Sequence, residues 1–227
     1  MMFNEWKPIY QEILKDFNFS KKNDETSAEI LDKIIQKKHN SNLLKNLIYN
    51  KEIVVFGAGT KLEKTIKEKK VFLKGKTLIS ADGATTALLK NDIIPHIILT
   101  DLDGKINDLL IANAKNSIVL IHAHGDNIEK IKKYVSRFKG IIFGTTQTDP
   151  ILFKNLFNFG GFTDGDRCIF LSEHFNARKI FLIGFNFDGD IGIYSFTGDK
   201  ELKIRKLKWC KKLIDFLNNK NKNIEFI

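Results

Sequence analysis

Aspartates recur at one kind of place in this chain: directly after short apolar runs. Thr77–Ser80 leads into Ala81-Asp82-Gly83-Ala84, and Ile97–Thr100 into Asp101-Leu102-Asp103-Gly104. Ile118–Ile121 leads into His122-Ala123-His124-Gly125-Asp126, and Ile141–Phe143 into Gly144-Thr145-Thr146-Gln147-Thr148-Asp149. Ile180–Ile183 is followed by Gly184-Phe185-Asn186-Phe187-Asp188, and a further pair stands in Phe162-Thr163-Asp164-Gly165-Asp166-Arg167. Helix capping accounts for one Asp per loop. It accounts poorly for Asp101 beside Asp103, which in an extended segment share a face ~7 Å apart. Two carboxylates there repel by roughly 2–3 kcal/mol at an effective dielectric of 20. A hard cation removes that cost, and oxygen ligands in polar loops suit Mg²⁺. Asp101, Asp103 and Asp126 are therefore the expected catalytic metal ligands, with the metal bridging to phosphate. His122, His124, Asp164, Asp166 and Asp188 are secondary candidates.

A second feature is Gly57-Ala58-Gly59-Thr60, which follows Ile53–Phe56. It is half of a dinucleotide fingerprint: the third glycine is missing, and Glu63 and Lys64 follow instead. The expectation is a tight strand-to-helix turn whose backbone N–H groups face an anion. No Walker A sequence is present. Thr100-Asp101-Leu102-Asp103-Gly104 resembles the haloacid-dehalogenase nucleophile motif, but two strands precede it and Lys105 follows. The same Asp-x-Asp would serve a metal-dependent glycosyltransferase. His122-x-His124-x-Asp126 is similar to the zinc ligands of metallo-β-lactamases, yet Asn127 stands where another His is wanted and only His174 lies downstream. His39, His96 and His174 read as surface or packing residues.

These residues need elements to position them. Buried runs of four or five residues rich in Val, Ile and Phe alternate with helical patterns such as Asn127–Phe138 and Arg167–Asn176. That alternation indicates βαβ units, hence a doubly wound, mostly parallel α/β sheet covered on both faces. Ligands of such sheets bind outside the carboxyl ends of the strands. Residues 1–50 show helical spacing and no strand, and read as a helical N-terminal appendage to an α/β catalytic domain at 51–227. Residues 191–196 are expected to form a further strand or hairpin, and Glu201–Leu217 a terminal helix.

Composition bounds the rest. With 43% hydrophobic and 28% charged residues the chain is globular. No apolar run approaches the ~20 residues of a membrane span. Met1–Tyr10 lacks an apolar signal core, so a cytoplasmic location and no membrane partner are expected. Cys168 and Cys210 have no metal spacing. The net charge of +10 comes from dispersed lysines, while arginine occurs only at 137, 167, 178 and 205. Solvated helix faces, rather than a specific nucleic-acid surface, are the expectation. A homo-oligomer stays open.

The order of three stretches carries a resemblance. They are Ala81-Asp82-Gly83-Ala84, Pro95-His96-Ile97-Ile98-Leu99-Thr100-Asp101-Leu102-Asp103-Gly104, and the later loop with Asp126. Together they resemble the thiamin pyrophosphokinase catalytic domain. Ala84, His96 and Gly104 depart from that family's second Gly, its Asp after Pro, and its Ser. The loop His122–Asn127 departs from its acidic Thr-Asp pattern. That loop, with Gly161–Arg167 and Gly184–Asp188, resembles the archaeal 6-hydroxymethyl-7,8-dihydropterin pyrophosphokinase family over about residues 50–218. The resemblance implies a Rossmann-like, thiamin-pyrophosphokinase-like fold. It also implies transfer of diphosphate from ATP to a pterin alcohol, releasing AMP, in tetrahydromethanopterin biosynthesis. Mg²⁺ would be the cofactor and ATP the co-substrate. Transfer to another alcohol, as in the thiamin enzymes, and sugar transfer within the same superfamily are the alternatives. In the pterin reading, Gly57, Ala58, Gly59, Thr60 and Arg167 contact phosphate. Asp82, Asn127, Thr146 and Gln147 meet the pterin edge. One carboxylate, or a water beside it, takes the alcohol proton.

Overall fold

The computed structural model describes residues 3–35, 37–195 and 198–227. Three helices come first: α1 (Phe3–Phe17), α2 (Lys21–Ile34) and α3 (Asn42–Ile48). Strands and helices then alternate as β1 (Glu52–Phe56), α4 (Leu62–Glu68), β2 (Thr77–Ala81), α5 (Ala84–Lys90), β3 (Ile97–Thr100) and α6 (Ile106–Ala114). They continue as β4 (Ile118–Ala123), α7 (Ile128–Tyr134), β5 (Ile142–Thr146), β6 (Leu156–Phe157) and α8 (Asp164–His174). The chain finishes with β7 (Lys179–Ile183), α9 (Lys200–Asn221) and β8 (Ile224–Phe226).

All strands pair in parallel, in the order β6-β5-β4-β3-β2-β1-β7-β8. The side-chain period of two along each strand sends alternate residues to opposite faces. Ile53, Val55, Ile79, Leu99 and Leu120 face one core, closed by Trp6, Tyr10 and Ile13 of α1, Leu44 and Ile48 of α3, and the apolar stripes of α8 and α9. Val54, Phe56, Ile98, Val119 and Ile121 face the other, packed against α2 and α4–α7. The expected doubly wound α/β architecture is thus present. Strand order reverses between β1 and β7, so the crevice of the fold opens above the loops that leave those two strands.

Several local readings change. β4 runs on through His122 and Ala123, and β5 through Thr145 and Thr146, so both strand ends lie beyond their apolar runs. Two short edge strands, β6 and β8, join the sheet unannounced by any apolar run. Helix α8 starts at Asp164 because Thr163 and Asp166 form a capping box. The strand or hairpin expected at 191–196 is absent from 191–195, which make a turn; Phe196 lies outside the described residues. The reason is a packing role. Gly192 lies so close over the turn after β1 that an added Cβ would stand 2.8 Å from the Gly59 carbonyl oxygen. Tyr194 is buried and donates its hydroxyl to Glu63 (2.7 Å). Among the described residues no helix is long and apolar enough to cross a membrane.

Candidate active site

A cavity of about 390 Å³ opens at the carboxyl ends of the strands, over the point where strand order reverses. That is within the range of small-molecule sites. Its acidic wall is built by three elements. Asp82 follows β2, its N–H donating to the Leu99 carbonyl (2.8 Å). Asp101 follows β3, and Asp164 opens α8. One carboxylate oxygen from each of the three lies within 4.8 Å of the others.

The trio differs from the expected Asp101, Asp103 and Asp126. The reason is Leu102, which is buried and takes a left-handed backbone (φ 68°). Its N–H donates to Thr100 Oγ1 (2.8 Å), and Thr100 Oγ1 in turn donates to Asp82 Oδ1 (2.7 Å). The segment is therefore not extended. Asp103 is carried to the exposed rim, where it pairs with Lys130. Asp126 is exposed at the cavity mouth, and its backbone N–H donates to His124 Nδ1 (3.4 Å). Both residues still line the cavity.

Electrostatics distinguish the three clustered carboxyls. Burial first, and the Asp101 charge second, push Asp82 up to about 7. Burial and Asp101 also push Asp164 well above the ordinary carboxylate value, against the pull of Arg167. Burial works the same way on Asp101, but the His124 hydrogen bond, with the charges of Arg167 and Lys206, outweighs it and holds that carboxyl low. Because His124 Nδ1 accepts from Asp126, its proton sits on Nε2 and is donated to Asp101 Oδ2 (3.2 Å). Arg167 Nη1 donates to Asp164 Oδ1 (3.1 Å). One guanidinium and one imidazole N–H undercompensate three clustered carboxylates. An all-oxygen, undercompensated set of this kind fits a hard divalent cation. The zinc set does not assemble: His122 Nδ1 bonds Thr145 Oγ1 (3.0 Å), and the ring is buried, neutral and away from the cavity.

The remaining candidates divide. Gly57, Ala58 and Gly59 line the cavity, but three of the turn's N–H groups are already used. Gly57 donates to the Ile183 carbonyl (2.9 Å), Gly59 to the Gly184 carbonyl (2.8 Å) and Thr60 to Asn186 Oδ1 (3.3 Å). The anion cradle expected there is instead a close seam between the β1 and β7 loops. An added Cβ on Gly57 would stand 2.8 Å from the Gly184 carbonyl oxygen. Thr60 and Asp188 are exposed and do not line the cavity. Asn127 is buried with its amide fully engaged. Its Oδ1 accepts from Ser27 and the His124 N–H, and its Nδ2 donates to the Asp101 and His122 carbonyls. It shapes the loop and has no polar atom left for a ligand. Thr146 is buried against Thr148 Oγ1 (3.0 Å), also off the cavity. Asp166 caps α8, accepting from the Thr163 hydroxyl (2.7 Å). Arg167 and Gln147 do line the cavity, joined by Arg167 Nη2 and Gln147 Oε1 at 3.4 Å, and Arg167 Nε is buried without a partner.

Some site residues were not anticipated from sequence. Asp24 of α2 accepts from Tyr10 Oη (2.6 Å), Gln147 Nε2 (2.8 Å) and the Gly125 N–H (2.8 Å), tying the N-terminal helices to two cavity loops. Burial, then Asp24, drive the Tyr10 hydroxyl far above its ordinary pKa, so it remains a donor. Phe19 and Phe162 line the cavity, and so do Lys203 and Lys206 of α9.

Comparison with known proteins finds relatives that match the whole chain. The sequence model of the family described as 6-hydroxymethylpterin diphosphokinase MptE-like matches residues 25–191. Three curated relatives carry the name 6-hydroxymethyl-7,8-dihydropterin pyrophosphokinase. That of Methanocaldococcus jannaschii is 43% identical and covers 100% of both chains. That of Pyrococcus furiosus is 42% identical over 100% of this chain and 99% of its own. That of Methanothermobacter thermautotrophicus is 41% identical over 93% of each. Among solved structures, the MAf glycosyltransferase from Magnetospirillum magneticum AMB-1 aligns with a TM-score of 0.52 at 13% identity, over 78% of this chain and 29% of that one. At that identity the likeness is one of fold. Matched over most of its length by the family's sequence model and over its whole length by two of these relatives, the chain belongs to the 6-hydroxymethylpterin diphosphokinase MptE-like family.

Proposed function

We propose that this protein transfers diphosphate from ATP to the hydroxymethyl group of 6-hydroxymethyl-7,8-dihydropterin, releasing AMP, as a cytoplasmic step of tetrahydromethanopterin synthesis. The observation that carries this reading is the carboxylate trio Asp82, Asp101 and Asp164 at the strand ends, in a chain whose full-length relatives bear that enzyme's name. In the reaction the alcohol oxygen bonds to the β-phosphorus of ATP. The bond from that phosphorus to the oxygen bridging to the α-phosphate breaks. AMP leaves with the bridging oxygen, and the alcohol proton passes to a carboxylate of the site or to water.

Positioning and charge compensation supply most of the catalysis in such a transfer. Asp82, Asp101 and Asp164 would hold Mg²⁺, which when bound offsets negative charge on the triphosphate oxygens. Arg167, fixed by Asp164 and Gln147, presents its free Nε to a phosphate oxygen. His124 keeps Asp101 ionised and oriented. Gln147, held by Asp24, braces the Arg167 guanidinium beside Asp164.

The test is to supply ATP, Mg²⁺ and the pterin alcohol and to resolve the nucleotides by ion-pair chromatography. The expected result is AMP in equal amount with pterin diphosphate, and little reaction with thiamin. Formation of ADP, or thiamin preferred over the pterin, overturns the reading.

A further inference from the structure

We infer that Lys203 and Lys206 of α9 bind the polyphosphate chain of the nucleotide, from the α9 wall of the cavity. The inference deepens the diphosphokinase reading and rests on it. A multiply charged triphosphate brought up to three carboxylates needs positive charge on more than one side. The turn after β1 cannot supply it through Gly57, Gly59 and Thr60, because those N–H groups are bonded to the β7 side. Among the described residues lining the cavity, fixed positive charge comes from Arg167, Lys203 and Lys206. Arg167 already commits donors to Asp164 and Gln147.

The two lysines are placed for the task by helical spacing. Residues three and four apart share a face, so Lys203, Lys206 and Cys210 point together, and all three line the cavity. The lysines are half-buried. The Lys206 ammonium lies 5.8 Å from the Phe19 ring centroid and 6.0 Å from that of Phe162, which holds its stem along the aromatic wall. Its charge is felt within the cavity, being one of the groups that keep Asp101 ionised. Other cations of the same helix are satisfied by acids of α1: Arg205 by Asp16, Lys212 by Glu12 and Lys220 by Glu5. Among the described residues neither Lys203 nor Lys206 has an ion-pair partner. α9 also lies beyond residue 191, where the family's sequence model ends, so that match assigns these side chains nothing.

The experiment uses the full chain with Lys203→Met, Lys206→Met, the double variant, and Lys206→Arg. Methionine keeps the apolar stem, and melting temperatures check the fold. Lys211→Met, on the exposed face of α9, is the control. Binding of inorganic tripolyphosphate with Mg²⁺ is measured by calorimetry, and KM for ATP and for the pterin alcohol by turnover. Each single Met variant should weaken tripolyphosphate binding about tenfold, as loss of one charge-assisted contact does. It should raise KM for ATP in step and leave KM for the alcohol within twofold. Lys206→Arg and Lys211→Met should stay near wild type. A folded double variant that binds tripolyphosphate within twofold of wild type overturns the inference, and so does a wild type that binds none. A wild type that binds it yet makes no AMP overturns the diphosphokinase reading and leaves the lysine site standing.

Discussion

Asp82→Asn should stabilise the metal-free protein while disabling it. The oxygens of Asp82, Asp101 and Asp164 approach one another within 4.8 Å, at which each charged pair costs roughly 3–4 kcal/mol at an effective dielectric of 20. A second route gives a similar size. Asp82 is pushed up from 3.8 to about 7, and at about 1.4 kcal/mol per pH unit its ionisation at pH 8 costs roughly 4 kcal/mol, most of it from burial. Asparagine removes the charge and still offers an oxygen to the Thr100 hydroxyl. Allowing for relaxation, a gain of about 2 kcal/mol is expected, or about 4–8 °C in Tm for a chain of this size. The sign of the pH dependence follows from the raised pKa. Wild type loses stability, relative to the variant, as pH rises from the unfolded value of 3.8 to about 7, and the gap is constant above that. Melts in chelator at pH 5 and pH 8 should therefore differ little between the two proteins at the lower pH and clearly at the higher. Turnover with saturating Mg²⁺ should fall on the order of 100-fold. A variant that melts lower than wild type at pH 8, or that turns over normally, would refute the account of Asp82 as one of a strained, cation-requiring trio.

Two further outcomes are expected. Burial keeps His122 neutral, its pKa well below 6.5, so unfolding takes up a proton that the folded protein refuses. Stability should then fall by up to about 1.4 kcal/mol per unit as pH drops below 6.5, and His122→Gln should flatten that slope; parallel stability curves for the two proteins would count against it. At Gly59 an added Cβ would stand 2.5 Å from the Gly184 carbonyl oxygen, a backbone atom that cannot swing aside. Gly59→Ala should cost about 2 kcal/mol by forcing the β1 and β7 loops apart, and an unchanged denaturation midpoint would show that the seam is looser than described.

The parts of this molecule that announce themselves locally were legible in its sequence. Six buried runs gave six strands, because a parallel strand covered on both faces is apolar at nearly every position, as Ile53–Phe56 and Ile97–Thr100 are. Strands β6 and β8, of two and three residues, carry too little pattern to stand out. The order of motifs pointed to the family that the comparisons then showed. The grouping of the aspartates was harder to read. Asp101 and Asp103 look like partners only if Leu102 is extended, and nothing in a leucine announces a left-handed turn. Asp82 and Asp164 meet through the sheet's order, which spacing along the chain does not contain. Asp24 sits in Lys21-Lys22-Asn23-Asp24-Glu25, a run with the composition of a solvated helix face, yet its carboxylate is buried under three donors. Gly57 and Gly59 revealed a tight turn correctly, but not the direction in which its N–H groups would be spent.

The placement of α1 has a consequence for how the chain is made. Trp6 donates to the Gln147 carbonyl 141 residues onward and packs edge-on against Phe170, Glu12 pairs with Lys212, 200 residues later, and Asp16 receives the Trp209 indole. A ribosome delivers α1 long before any of these partners, so the earliest-made helix waits with an aromatic stripe uncovered. Closing such long intervals is slow, and the docking can finish only once α9 has emerged. A product truncated before residue 200 lacks the partners of Glu12 and Asp16, together with the cavity wall that α9 provides. Emergence of α9, the last of the long-range contacts of α1 and closure of the cleft therefore coincide.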